Sequence, residues 1–262
     1  GSLINKPKVI STYGQKFDFD VDTPTEIFID QIPRYKKPEG TRRIYIALEP
    51  NVVSGLTSTI KKFYKAWEID KVLTYDEDIL LDCPVAELFE FGTSWEQPIE
   101  NSKTDKKFCV STVCGRKGIT ENRLIRERLY LRQQEILIPK DFYVSGNEGM
   151  EGEKILGDSK LPLFESMFHI CIENISQKNW FTEKLIDPIV RKSIPIYIGC
   201  PNVDSYFNMD GIIVVNNEDE IIETCNTLNE KDYHNRIDAV EDNFEKAKKW
   251  LDWSKRVEEK VK

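Results

Sequence analysis

Between Phe168 and Gly199 two short apolar runs enclose a polar loop and an amphipathic stretch. Phe168-His-Ile-Cys-Ile172 is β-prone and ends abruptly at Glu173-Asn174, and Ile194-Pro-Ile-Tyr-Ile198 is a second run of the same kind. Between them Thr182 can cap a helix opening on Glu183-Lys184. The pattern predicts a strand–helix–strand unit with parallel strands and a right-handed crossover. Ligands of such sheets lie beyond the carboxyl ends of the strands, where the loop from Glu173 to Thr182 falls. A helix start there offers unsatisfied N–H groups and a positive dipole end, which suit a phosphate, and Lys184 adds a full charge. Pro188 removes a backbone donor from that helix. A restart with Asp187 as cap and Pro188 as first residue would accommodate it.

Residues 8–13, 26–32 and 43–47 read as strands of a first sheet, 57–67 as a helix with Ile60, Phe63, Tyr64 and Trp67 at helical spacing, and 71–74 as another strand. Strands alternating with a helix predict an α/β unit, followed by a polar linker at 96–107 that contains Pro98. A second unit restarts with a strand at 108–113 and a loop at 114–119 carrying Arg116 and Lys117. An amphipathic helix capped by Thr120 then runs to residue 136. A strand at 142–144, a helix or loop at 154–167, a strand at 212–215 and a helix at 218–228 complete it. Residues 233–261 place Ile237, Val240, Phe244, Ala247, Leu251 and Val257 at helical intervals, predicting a long closing surface helix. The division expected is 1–102, 103–232 and a C-terminal helix 233–262 packing back across the domains.

Composition narrows the partners. A net charge of −8 and a pI near 5.1 argue against nucleic acid, which needs a basic face. No apolar run is long enough to span a membrane and no signal peptide opens the chain. Gly1-Ser2 reads as a cloning remnant, which leaves room for a removed upstream anchor. The six cysteines contain no C-x-x-C pair, and two histidines do not make a zinc set, so buried free thiols in a reducing compartment are expected.

Glu173-Asn174, then Trp180-Phe181-Thr182-Glu183-Lys184, then Ile194-Pro195-Ile196-Tyr197-Ile198-Gly199 resembles the signature of the α1,3/α1,4-fucosyltransferase family. There Glu-Asn-Ser is followed at the same distance by an aromatic residue and Thr-Glu-Lys, and then by a Pro-(Ile/Val)-Tyr-x-Gly strand. Ile175 departs from the usual Ser and Trp180 from the usual Tyr. The resemblance is fullest over 168–200, present over 107–130 and 211–228, and thin before residue 100. It implies an α/β chain of GT-B architecture: two Rossmann-like domains facing a cleft, donor nucleotide in the C-terminal one, acceptor mainly in the other. It implies a metal-independent, inverting transfer from a GDP-sugar, above all GDP-fucose, to a glycan hydroxyl, in glycan biosynthesis or protein glycosylation, with no further cofactor. As written the chain is expected to be cytoplasmic, of bacterial or viral type. A removed N-terminal anchor would instead place it in the Golgi, where animal members of the family are held.

Such a transfer needs a base for the acceptor hydroxyl and positive groups for the departing diphosphate. Lys184 is the first cation. The family's donor-binding arginine sits early on the helix after residue 118, where Arg126 fits best and Arg123 and Arg128 stay open. The resemblance makes Glu183 the carboxylate for donor hydroxyls, Asn174 an amide contact and Trp180 a flat apolar wall, although Trp180 reads equally as a core aromatic; Glu173 reads as a brace for the loop. Glu49 is the candidate base: Ile44 to Leu48 is an apolar strand ending in this carboxylate, and the family's catalytic glutamate follows a comparable strand. Asp76, Glu77 and Asp78, at another strand tip, are the fallback. Two other readings compete. Asp18-Phe-Asp20 could hold a divalent cation in a GT-A-type glycosyltransferase, although its place ahead of the main strands reads as an acidic turn. A nucleotide-sugar- or carbohydrate-binding module without catalysis is favoured by Ile175 and disfavoured by Glu49, Glu183 and Lys184 together.

Overall fold

The computed structural model describes residues 5–100, 105–115, 119–146 and 153–262; the predicted loop residues Arg116 and Lys117 lie outside them. The chain forms two compact units, the first from residues up to 91 with 178–180 and 252–262, the second from 92–177 with 181–251.

The first unit contains β1 (Lys8–Ser11), β2 (Thr25–Ile29), β3 (Arg42–Ile46), α1 (Asn51–Ser54), α2 (Thr57–Phe63), β4 (Lys71–Thr74), α3 (Glu77–Asp82) and β5 (Ala86–Leu88). Its sheet runs β1-β2-β3-β4-β5 with every pair parallel, and Phe28 of β2 lies opposite Tyr45 of β3. β2 is buried along its whole length, as a parallel strand covered on both faces must be. Glu26 and Arg43 are tolerated there as a pair, Nε to Oε1 at 2.8 Å, with the guanidinium also donating to the Tyr35 and Trp67 carbonyls. β2 ends earlier than the pattern predicts because Asp30 takes a left-handed conformation (φ 51°) and turns its carboxylate back onto the backbone after β3. The acidic run at 76–78 is not an open loop. Asp76 caps α3 by accepting from the N–H groups of Asp78 and Ile79, which is why this tip carries so many carboxylates.

The second unit contains β6 (Lys107–Cys114), α4 (Glu121–Leu131), β7 (Lys140–Ser145), β8 (Ile155–Leu156), β9 (Ser166–Ile172), α5 (Glu183–Val190), β10 (Ile194–Ile198), β11 (Ile213–Val214), α6 (Glu218–Thr227), α7 (Glu230–Asn235) and α8 (Ile237–Ala247). The sheet order is β11-β10-β9-β6-β7-β8, again all parallel. The chain builds outward from β6 in one direction and from β9 in the other, so a topological switch point falls between these two strands. β9 and β10 are buried at every residue, and Val110, Phe168, Ile170 and Ile196 form the centre of the core with Ile125 and Leu129 of α4.

α5 runs unbroken through Pro188, which corrects the expected restart at Asp187. Thr182 is the cap. Asp187 instead receives Ser94 Oγ and the backbone N–H groups of Trp95 and Glu96, so the segment predicted as a linker is tied down at its start. The tie continues at Ile99, whose N–H donates to Val190 O. Burial of Leu185, Ile186, Ile189 and Val190 outweighs the one hydrogen bond Pro188 removes.

The predicted closing helix is divided. α7 and α8 are separated by Arg236, and a tight turn at Lys248–Trp250 precedes α9 (Trp253–Val261), capped by Asp252. Trp250 packs on Phe181 at 4.9 Å in the second unit, whereas Trp253 joins Phe17, Phe89 and Phe91 in the first. One continuous helix could not direct two tryptophans three residues apart into separate cores. All six cysteines are buried free thiols, as expected. Among the described residues no helix is long and apolar enough to cross a membrane.

Candidate active site

The loop that follows β9 is fixed by a buried carboxylate. Glu173 accepts from Thr182 N–H at 2.8 Å, from the Thr182 hydroxyl and from Tyr197 OH at 3.0 Å; Tyr197 OH in turn accepts from Cys200 N–H. Gly199 permits this approach, since a Cβ there would lie 2.3 Å from Glu173 Cγ. Burial pushes the Glu173 pKa up, opposed by the charge of Lys184 and the donors of Thr182. Thr182 Oγ1 also accepts from Lys184 N–H, so Glu173 braces both the loop and the first turn of α5.

Directly above this brace, at the carboxyl ends of β6 and β9, lies a cavity of about 690 Å³. Asn174, Glu183 and Lys184 line it together with Arg123 and Arg126 of α4. Arg126 Nε donates to Ile172 O at 3.0 Å, and Nη2 to Ile172 O and to Asn174 Oδ1. The guanidinium is thereby anchored to the strand end, and burial lowers its pKa somewhat against the pull of Glu173. Lys184 Nζ stands 3.3 Å from Glu183 Oε1. Arg128 points elsewhere and pairs with Glu218 and Glu121, which leaves Arg123 and Arg126 of the three candidates.

Two charged cavity residues escaped the sequence reading: Lys160, in the loop after β8, and Asp187. With them, four cations (Arg123, Arg126, Lys160, Lys184) face two carboxylates (Glu183, Asp187). That excess of positive charge at a helix start suits a diphosphate.

Trp180 does not line this cavity. It belongs to the first unit, where it is buried, stacked on Phe91, and donates Nε1–H to Leu48 O at 3.0 Å. Its indole is a core aromatic with a satisfied polar handle. Leu48 and Glu49 follow β3, and their N–H groups both donate to Asp30, at 3.0 and 2.8 Å; Tyr75 OH donates to Leu48 O at 2.9 Å. The backbone carrying Glu49 is therefore held by three side chains. Asp18 and Asp20 are exposed and lie against Lys6, at 2.7 and 3.8 Å. Among the described residues no group of three or more His, Cys, Asp or Glu side chains is placed to hold a metal ion.

His169, on the cavity floor, sets a pH limit. The Ser111 hydroxyl gives its one proton to Leu163 O, so it accepts from His169 Nδ1–H at 2.9 Å and leaves Nε2 unprotonated. Burial, with the nearby charge of Lys160, pushes the His169 pKa down to about 3. A base depressed on folding contributes stability above the pKa of about 6.5 it has when unfolded, and that contribution is lost as pH falls from there toward 3. Wild type should therefore lose about 3 kcal/mol more than His169→Gln between pH 6.5 and 4. Urea-unfolding midpoints measured across that range should converge as pH falls; parallel curves would contradict it.

Two units, each a parallel sheet flanked by helices, with the second unit's cavity at its switch point, define the GT-B class of fold. The chain superposes on an α1,3-fucosyltransferase structure with a TM-score of 0.51 at 17% identity, covering 80% of this chain and 68% of that one. A structure of α1,3-fucosyltransferase with GDP-fucose gives 0.50 at 17% identity, with the same coverage. TarM gives 0.54 at 12% identity, covering 90% of this chain and 53% of that one. No protein-family model and no curated protein sequence matches the chain. The fold implied by the motif at 168–199 is thus borne out.

Proposed function

We propose that this chain is a glycosyltransferase that moves a sugar from a nucleotide donor to a glycan hydroxyl, with GDP-fucose as the donor and inversion at the anomeric carbon. The observation that carries this reading is the meeting of Lys184, Arg126 and Glu183 in one cavity where the start of α5 abuts the ends of β6 and β9. Lys184 and Arg126 hold the diphosphate, supported by the positive end of the α5 dipole. Glu183 accepts hydrogen bonds from donor hydroxyls, and Asn174 positions Arg126. The acceptor oxygen attacks the anomeric carbon, the bond to the diphosphate oxygen breaks with its electrons, and Glu49 takes the hydroxyl proton. Positive side chains do the charge-stabilising work here, so no divalent ion is assigned to the step. The GT-A alternative loses ground because Asp18 and Asp20 are solvent-facing neighbours of Lys6 rather than a lining of this cavity.

A thermal-shift panel of nucleoside diphosphates and nucleotide sugars, with and without EDTA, tests the reading. At about 100 Kd a ligand of the folded state adds about 2.7 kcal/mol, a shift of several degrees. GDP and GDP-fucose should give it, unchanged by EDTA. A shift with UDP and none with GDP would overturn the donor; a shift that EDTA abolishes would restore the metal-dependent alternative.

A further inference from the structure

In the first unit, the helical pattern over residues 57–67 leaves two of its aromatic positions without a core. Ile60 and Tyr64 are buried, whereas Phe63 is 38% exposed and Trp67 half-buried, their rings 5.2 Å apart. The surroundings of this pair are basic. Residues 33–37, ahead of β3, and 61–67, ahead of β4, together carry six cations and no carboxylate, in a chain whose net charge is −8. β3 and β4 are parallel neighbours, so both segments reach the sheet at its amino edge, opposite the edge that carries Glu49. Arg43 joins them: its guanidinium donates to Tyr35 O at 2.8 Å and to Trp67 O at 2.9 Å. Of the six cations, Lys61 pairs with Asp82 at 2.8 Å and Lys37 lies 3.8 Å from Asp70. Arg34, Lys36, Lys62 and Lys65 are exposed, and among the described residues none has a carboxylate within 4.0 Å. Tyr35 is 42% exposed, its hydroxyl donating to Glu26.

We propose that this amino-edge patch docks the protein on an anionic lipid surface, with Phe63, Trp67 and Tyr35 among the headgroups and the four exposed cations on lipid phosphates. Charge complementarity carries the assignment. A local excess of positive charge on an acidic chain directs that chain, by this face alone, onto a negative surface. Aromatic rings with wet edges, set among lysines, match the layer between water and hydrocarbon, where an apolar body and a polar rim are both satisfied. A single-stranded nucleic acid would need open ring faces on which to stack its bases. Here cations already stand over them: Lys62 Nζ is 5.3 Å from the centre of the Phe63 ring, and Lys8 Nζ 4.8 Å from that of Tyr35. Docking by the amino edge leaves the Glu49 edge of this sheet facing away from the lipid, and nothing in the assignment depends on the donor.

Co-sedimentation with vesicles of phosphatidylcholine alone, and of equimolar phosphatidylcholine and phosphatidylglycerol, tests it. Wild type should pellet with the anionic vesicles only, and raising the salt from about 0.1 M to about 1 M should release it. Lys62→Gln/Lys65→Gln should weaken binding about 20-fold or more, and Phe63→Ser about fivefold. Lys231→Gln/Lys249→Gln, the same charge change at exposed positions of the second unit, should stay within about twofold of wild type. The lipid and salt dependence of wild type tests the patch even if a variant fails to fold. Wild type left in the supernatant of anionic vesicles would overturn the proposal. Binding that Lys62→Gln/Lys65→Gln leaves unchanged would overturn it too, since another face would then make the contact. A mixed-sequence oligonucleotide held through Lys62 and Lys65 in place of the vesicles would hand the patch to nucleic acid. Self-association abolished by Phe63→Ser, without vesicle binding, would hand it to a second copy of this chain.

Discussion

Glu49→Gln is expected to lower kcat for sugar transfer by about 10²–10⁴-fold while leaving the KM for the nucleotide sugar and the thermal shift by GDP within about twofold. Gln has the shape of Glu and cannot accept the acceptor's proton. The backbone at this position is held through its own N–H and the Leu48 carbonyl. The bonds that fix residue 49 run from its own N–H to Asp30 Oδ2, and from Tyr75 and Trp180 to the neighbouring carbonyl of Leu48. None involves the Glu49 carboxylate, so all survive the substitution. A base must be held steadily to be efficient, and three side chains gripping one turn are what that requires. Assays of initial rate against both substrates decide the matter. A kcat within about threefold of wild type would place the base elsewhere. A wild-type protein that binds GDP and transfers nothing to any acceptor would instead favour the binding-module reading.

The parts of this architecture legible in the sequence are those set by local pattern. The strand at 71–74 is found as β4 (Lys71–Thr74), and the apolar runs around the central motif are β9 and β10. Thr182 caps α5 because a side-chain acceptor ahead of Glu-Lys has one obvious partner, the N–H two residues on. What local pattern does not carry is which of several cores an aromatic residue enters. Trp180 and Phe181 are adjacent and both buried, yet the first stacks on Phe91 and the second packs against Trp250. Period alone treats them alike. Asp187 was equally opaque: its three donors are 91 to 93 residues away, so next to Pro188 it reads as a cap. Lys160 sits in a polar stretch with no periodicity, and only the folding of β8 and the turn at Leu161–Glu165 brings it to the cavity. The Glu173 brace had one sequence signal, a charge next to a β-prone run. Its meaning depends on Tyr197 and Gly199, which only the pairing of β9 with β10 makes neighbours.

Lys184→Ala and Arg126→Ala should each lower kcat/KM by about 10²–10³-fold, the range found when one donor to a developing negative charge is removed from a preorganised site. The two effects should combine to less than their product. Both cations act on the same diphosphate, and both also act on Glu173, so each single variant already relaxes part of the arrangement the other uses. Arg126→Ala carries a second consequence. Asn174 Oδ1 and Ile172 O lose their donor, so the strand end that shapes the cavity loosens and GDP binding weakens with transfer. The Lys184 ammonium hydrogen-bonds Glu183 rather than a strand end, so Lys184→Ala should lose more in kcat than in donor affinity. Arg128→Ala is the control. Its charge is answered by Glu218 and Glu121 outside the cavity, and activity should stay within about threefold of wild type. If Arg128→Ala lost as much as Arg126→Ala, or if Lys184→Ala kept its rate, the diphosphate would be held elsewhere and the start of α5 would be an ordinary capped helix.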